Sequence, residues 1–116
     1  MDRQIRGMLN QQITIEKFKS KSSRGGKEYH DPVVFPCYIS GEVKMVRDEE
    51  GEEKVSTKTV YLDGTETASN DDLELGVGDI STKDRITLPD GTQPPVISIQ
   101  PYRDEKGKLN VVEVNV

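Results

Sequence analysis

Apolar and polar residues alternate with a period of two in several stretches of this chain, which is the pattern of a half-buried β-strand. Ile13 and Ile15 flank Thr14, and valine recurs at every second position from Val112 to Val116. The 116 residues include a single alanine, whereas valine, isoleucine and threonine are abundant, as in pleated sheets rather than helices. The sequence therefore predicts an all-β domain.

The predicted strands are about six in number and lie at 11–18, 39–45, 55–62, 85–88, 96–102 and 109–116. They predict a single domain over 1–116, built as a small antiparallel β-barrel or sandwich with at most short helical turns. The strands at 11–18 and 109–116 are expected at the edges of the sheet, where they could pair with other subunits.

Three four-residue segments carry turn chemistry. Residues 48–51 and 104–107 begin with Asp and end with Gly, which favours a type I turn whose Gly has a positive φ. Residues 88–91 place Pro at the second turn position. Pro36 lacks an amide donor, so the stretch before Cys37 is expected to be a loop or an edge strand.

Two long connections, at about 19–31 and 63–83, are expected to be loops. Fixing the 21 backbones of 63–83 would cost ~20–40 kcal/mol at ~1–2 kcal/mol each. Burying Leu73, Leu75, Val77 and Ile80 would return only ~6–12 kcal/mol. The second loop is therefore expected to be mobile until a partner orders it.

The chain is acidic, with a net charge of −5, which argues against a dedicated nucleic-acid-binding protein. Its charges are nevertheless clustered in a basic run at 17–27 and an acidic run at 48–53, which could pair between adjacent subunits in a head-to-tail ring. The candidate subunit or partner contacts are Lys17, Lys19, Lys21, Arg24, Lys27, Asp48, Glu49, Glu50, Glu52, Glu53, Asp71, Asp72, Leu73 and Leu75.

The sequence offers little for catalysis or for binding a metal. The one histidine, His30, and the one cysteine, Cys37, are separated by two prolines and lack an oxyanion-hole motif, so a catalytic pair is not expected. One residue of each type is also too few for a zinc site. From Asp63 onward, Thr65, Thr67, Asp71 and Glu74 resemble calcium-loop spacing only by chance. We expect no enzyme activity and no cofactor.

The last third of the sequence carries a family resemblance, over Gly78-Asp79-Ile80, then Asp84-Arg85-Ile86-Thr87-Leu88-Pro89-Asp90-Gly91, then Pro94-Pro95-Val96-Ile97-Ser98-Ile99 and Asp104-Glu105-Lys106-Gly107. This pattern resembles the head-closure proteins of long-tailed bacteriophages, also called head-completion or stopper proteins. Elsewhere the resemblance is one of size, strand order and long loops.

The resemblance implies a small β-barrel subunit that forms a homo-oligomeric ring at the head–tail junction of the virion, after assembly in the bacterial cytoplasm. Such a ring closes the DNA-filled head and joins the tail, with portal or adaptor and tail proteins as partners and non-specific contact with packaged DNA. The sequence leaves two alternatives open. One is a tail terminator or completion subunit, and the other is a small β-barrel module that binds nucleic acid or carbohydrate.

Overall fold

The computed structural model of the protein describes residues 9–21, 27–71 and 73–116, with the backbone alone for Ser20, Lys21 and Lys27. These residues contain twelve strands and one short 3-10 helix, η1. The elements are β1 (Gln11–Glu16), β2 (Phe18–Lys21), β3 (Lys27–Tyr29), β4 (Val33–Ser40), β5 (Lys44–Arg47), β6 (Glu53–Ser56), β7 (Thr59–Asp63), β8 (Thr67–Ser69), β9 (Glu74–Gly76), η1 (Val77–Asp79), β10 (Arg85–Thr87), β11 (Ser98–Arg103) and β12 (Leu109–Asn115).

Six of these strands form one antiparallel sheet in the order β10-β1-β4-β7-β12-β11, which curls into a half-barrel. The remaining strands form three two-stranded hairpins, β2–β3, β5–β6 and β8–β9. The predicted all-β fold is therefore confirmed. Within the described part of the chain, no helix has the length and apolar character needed to cross a membrane.

The core lies on one face of the six-stranded sheet, because alternate residues of each strand point to that face. In β1 and β4, Ile13 pairs with Phe35 and both are buried. In β7 and β12, Leu62 pairs with Val112 in the same way. The period-two pattern of the sequence thus identified the buried side chains of β1 and β12 correctly, whereas Val43 and Met45 of the predicted strand 39–45 are exposed.

The expected edge strands are wrong. β1 lies between β10 and β4, and β12 lies between β7 and β11, so both strands are paired on two sides. The edges of the sheet are β10 and β11. The alternation of apolar and polar residues indicates which side chains face the core, but it does not indicate which strands are neighbours. The order of the strands depends on where segments distant in the sequence join the sheet.

Two predicted strands are each interrupted where the chain leaves the main sheet. The stretch 39–45 breaks at 41–43 between β4 and β5, and the stretch 55–62 breaks at 57–58 between β6 and β7. Between these breaks the chain forms the β5–β6 hairpin, in which Met45 pairs with Val55. This excursion makes two strands out of each predicted one.

Pro36 lies inside β4 rather than in a loop, at a local edge of the main sheet, which is one of the two environments expected for it. It pairs with Gln12 of β1, but β7 begins to pair with β4 only at Cys37. Pro36 therefore occupies a part of β4 that has one partner strand of the main sheet, where a missing amide donor is tolerated.

The segment 63–83 forms the β8–β9 hairpin and η1 instead of a long loop. Leu75, Val77 and Ile80 are only 2%, 1% and 6% exposed and belong to the hydrophobic core. The hairpin also pairs its own backbone groups, and the Val77 amide donates to the Glu66 carbonyl at 3.1 Å. Counting apolar burial alone omitted these hydrogen bonds, which is why a loop without secondary structure was expected; β8, β9 and η1 correct that expectation.

The segment 19–31 likewise contains the β2–β3 hairpin, in which Phe18 pairs with Tyr29. Its central residues 22–26 lie outside the described residues. The three predicted turns are confirmed. Gly51, Gly91 and Gly107 have φ values of 81°, 87° and 82°, in the left-handed region that glycine adopts without strain.

Candidate functional site

The basic run splits into residues with different environments. Lys17 is partly exposed but held against its own domain, because its Nζ lies 3.2 Å from Asp84 Oδ2 and 2.6 Å from the Asp79 carbonyl oxygen. Lys19 is exposed on β2. For Lys21 and Lys27 only the backbone is described, and Arg24 lies outside the described residues. Of this predicted set, Lys19 is thus the described side chain that is free to contact a partner.

Asp84 fixes the start of the β2–β3 hairpin to the segment before β10. Its side chain is fully buried. The Phe18 amide donates to Asp84 Oδ1 at 2.8 Å, and the Ser81 amide donates to Oδ2 at 2.7 Å. A buried carboxylate that accepts backbone amides and pairs with Lys17 is a strong local constraint on the chain.

A groove of about 280 Å³ with basic side chains opens next to this anchor. The Arg85 guanidinium lies 4.4 Å from the ring centroid of Tyr29, and Lys83 Nζ lies 5.8 Å from that of Phe18. Arg85 also donates to Glu16 in a bidentate pair, which raises the pKa of Arg85. We define the basic groove by its lining residues Tyr29, Lys83, Arg85, Pro94, Pro95 and Val96.

The acidic run forms the turn of the β5–β6 hairpin. Asp48 Oδ1 accepts the amides of Glu50 and Glu52, both at 2.9 Å. Asp48 also pairs with Lys54 at 3.0 Å, and this hydrogen bond lowers the pKa of Asp48 and raises that of Lys54. Asp48 therefore stabilises the turn itself rather than offering its carboxylate to a partner.

The other carboxylates of the turn differ in how they are compensated. Glu53 pairs with Arg47 at 3.5 Å between two exposed side chains. No cation of the described part of the chain forms an ion pair with Glu49, Glu50 or Glu52. Residues 47–54 contain five carboxylates and two cations, a net charge of −3. The turn is thus an exposed surface with uncompensated negative charge.

The β5–β6 hairpin also has an apolar outward face. Val43, Met45 and Val55 are 65%, 59% and 55% exposed, and Met45 and Val55 are cross-strand partners. No other strand of the described chain pairs with β5 or β6. We call these three side chains the hairpin face.

The acidic turn and the basic groove are close together in the same subunit. A cleft of about 200 Å³ beside the turn is lined by Asp48 and Glu50 on one side and by Thr82 and Val96 on the other. Thr82 and Val96 also line the basic groove. The expected head-to-tail pairing of the basic run with the acidic run of an adjacent subunit stays a prediction.

The four candidates from 71–75 differ in how they are placed. Leu75 lies in this chain's own core, so the prediction that it contacts a partner is wrong. Leu73 is half-buried and packs against the same core. Asp71 is exposed, and Asp72 lies outside the described residues.

The outer face of the sheet carries a cluster that the sequence did not predict. Glu113 of β12 accepts from Lys44 Nζ at 2.8 Å and from the Tyr102 hydroxyl at 3.1 Å. The Glu113 hydrogen bond raises the pKa of Lys44. Tyr38 and Tyr61 stack beside it with ring centroids 6.0 Å apart. In the sequence these tyrosines are scattered, and only the strand register, pairing Tyr61 with Glu113, brings them together.

Cys37 is fully buried in the core, and burial raises the pKa of its thiol to about 12. The sulfur therefore remains a protonated thiol at neutral pH, and a thiolate is the form needed for nucleophilic attack.

The comparisons with known proteins identify no relative. No protein-family model, no curated protein and no solved structure matches this chain.

Proposed function

We propose that this chain is a structural subunit of the bacteriophage head–tail connector, which forms a ring that closes the DNA-filled head and joins the tail. The proposal starts from the resemblance of residues 78–107 to head-closure proteins. In this proposal the partners are further copies of the chain, a portal or adaptor protein above the ring and a tail protein below it.

The observation that carries the proposal is the free edge of β11. This six-residue strand pairs with β12 on one side and with no described strand on the other. An exposed sheet edge presents unpaired backbone donors and acceptors to other chains. In a ring subunit, such an edge is available to a neighbour.

The tyrosine cluster on the outer face supports the same assignment. Tyr38 and Tyr102 are partly exposed around the Lys44–Glu113 pair. Tyrosine is enriched at protein interfaces because its rigid ring buries a large area while its hydroxyl forms hydrogen bonds. This surface is suited to the protein that lies above or below the ring.

The test is electron microscopy of the particles that the source phage or prophage makes after this gene is deleted. We expect separate, normal-length tails beside tailless heads that have lost their DNA. The wild-type gene supplied from a plasmid should restore complete virions, whereas the same plasmid with an early stop codon should not.

Two other phenotypes would contradict the proposal. DNA-filled heads beside overlong or unjoined tails would assign the chain to tail termination or completion. Normal virions from the deletion strain would rule out any necessary role in the connector, and a nucleic-acid or carbohydrate-binding module would then be the function to test.

A further inference from the structure

We propose that the hairpin face docks onto the basic groove of a second copy of this chain, so that two subunits form a reciprocal pair. This pair is additional to the proposed ring, and it does not depend on the connector function. A second copy of the chain fits the groove because the two surfaces match in polarity and in charge.

The two surfaces have matching polarity. The hairpin face presents Met45 and Val55, which are more than half exposed. The basic groove offers apolar contact area from Tyr29, Pro94 and Pro95. Docking removes the exposed part of these apolar side chains from water, which favours association. A small apolar centre of this kind can anchor an interface whose rim is charged.

The charged residues around the hairpin face and those around the basic groove have opposite sign. The acidic turn beside the hairpin face has a net charge of −3, and Glu49, Glu50 and Glu52 form no ion pair with a described cation. Single oxygens of Asp48, Glu50 and Glu52 lie within 4.8 Å of one another, so a cation brought near them relieves repulsion.

The groove side supplies cations. Lys83 is exposed at the groove and contacts the Phe18 ring, and Lys19 is exposed on the adjoining strand β2. No carboxylate of the described residues pairs with either lysine. The acidic turn of a second copy is the complementary surface that this chain itself provides.

The pairing is reciprocal because the two surfaces are adjacent. The acidic turn and the basic groove share Thr82 and Val96 as neighbours. A hairpin that docks in the groove of a second copy therefore brings its own groove close to the hairpin of that copy. Two equivalent contacts of this kind are the isologous arrangement of a two-fold dimer.

The test uses sedimentation velocity of the purified chain in EDTA over a range of protein concentrations at low salt. We expect a monomer–dimer equilibrium in the wild-type protein. The double substitution Glu49→Lys with Glu50→Lys should weaken self-association at least about tenfold, and so should Lys19→Glu with Lys83→Glu, because each creates like-charge contacts. Lys106→Glu, in a turn that borders neither surface, is the matched control and should leave the dissociation constant unchanged.

Mixing the two double variants gives the decisive result. In the mixture every hairpin–groove contact again joins opposite charges, so a heterodimer should form although neither variant associates alone. Met45→Ser should weaken the wild-type dimer at both low and high salt, because it removes apolar rather than charged contact. Circular dichroism spectra and melting temperatures should show that each variant is folded.

Several outcomes would overturn the inference. These are a monomer at every concentration, charge reversals without effect, a mixture that fails to associate, or an association that requires calcium and vanishes in EDTA. The last result would mean that the acidic turn binds a metal ion. The phage phenotype is measured separately, so a failed connector assignment would leave this result standing, and the reverse also holds.

Discussion

Replacing Asp84 with alanine should destabilise the domain strongly, because a fully buried carboxylate then disappears from between three donors. The Phe18 amide at 2.8 Å and the Ser81 amide at 2.7 Å lose their acceptor, and Lys17 Nζ loses its ion-pair partner at 3.2 Å but keeps the Asp79 carbonyl. A buried backbone amide left without an acceptor costs about 1–3 kcal/mol. Lys17 is partly exposed and can be solvated, so its loss adds less.

The two amides together predict that Asp84→Ala costs about 2–6 kcal/mol of the free energy of unfolding. That is a large fraction of the ~5–15 kcal/mol that stabilises a typical domain. Asp84→Asn keeps the volume and one carbonyl acceptor, so it should cost less, about 2 kcal/mol. Lys17→Met removes the cation but leaves both amides bonded to the carboxylate, and it should cost about 1 kcal/mol.

The assay is urea unfolding at pH 7 followed by far-ultraviolet circular dichroism, with the midpoint and slope fitted for each variant. The expected order of loss is Asp84→Ala, then Asp84→Asn, then Lys17→Met. A loss below about 1 kcal/mol for Asp84→Ala would refute the reasoning, as would equal losses for Asp84→Ala and Lys17→Met. If Asp84→Ala fails to fold, the two milder variants still test the order.

Two further predictions concern a crowded glycine and a perturbed carboxylate. A Cβ on Gly64 would lie 2.8 Å from Leu109 Cγ and 2.9 Å from the Leu109 carbonyl carbon, so Gly64→Ala should cost about 1–3 kcal/mol in thermal unfolding. Gly41→Ala, which meets nothing within 4 Å, should be nearly neutral; equal losses would refute the packing argument. Hydrogen bonds from the Thr92 hydroxyl and amide lower the pKa of Asp90 from 3.8 to about 2, so this contribution to stability is present above about pH 4 and is lost as the pH falls towards 2. Thr92→Val should move the pKa of Asp90 towards 3.8 in a carbon-detected NMR titration, and an unchanged value would contradict the assigned cause.

The parts of the fold that the sequence predicted are those determined by neighbouring residues. Alternation in β1 and β12 identified the buried side chains, and glycine at positions 51, 91 and 107 identified the turns. The neighbours of these strands were not predictable in the same way. β1 pairs with β10 although some seventy residues separate Glu16 from its partner Arg85, and no local pattern encodes that return.

The second miss, the segment 63–83, has a related physical cause. An estimate from four apolar side chains treats the segment as a chain that must be ordered without its own hydrogen bonds. In the structure, β8 and β9 pair with each other, and the Asn70 side chain donates to the carbonyls of Asp31 and Pro32. The residues before β4 are far from this segment in the sequence, so composition could not predict these contacts.

The candidate site shows how internal pairing changes the meaning of a charged run. The sequence predicts that Lys17 contacts a partner. In the structure Lys17 instead forms an ion pair with Asp84 of the same domain, 67 positions away. Asp48 is likewise taken up by its own turn and by Lys54. The charge available to a partner is what remains after these pairs are removed. On the acidic turn it is concentrated at Glu49, Glu50 and Glu52, directly beside an apolar face. A surface of that composition gains from contact with a basic, partly apolar partner, because such a partner both buries the apolar side chains and neutralises the carboxylates.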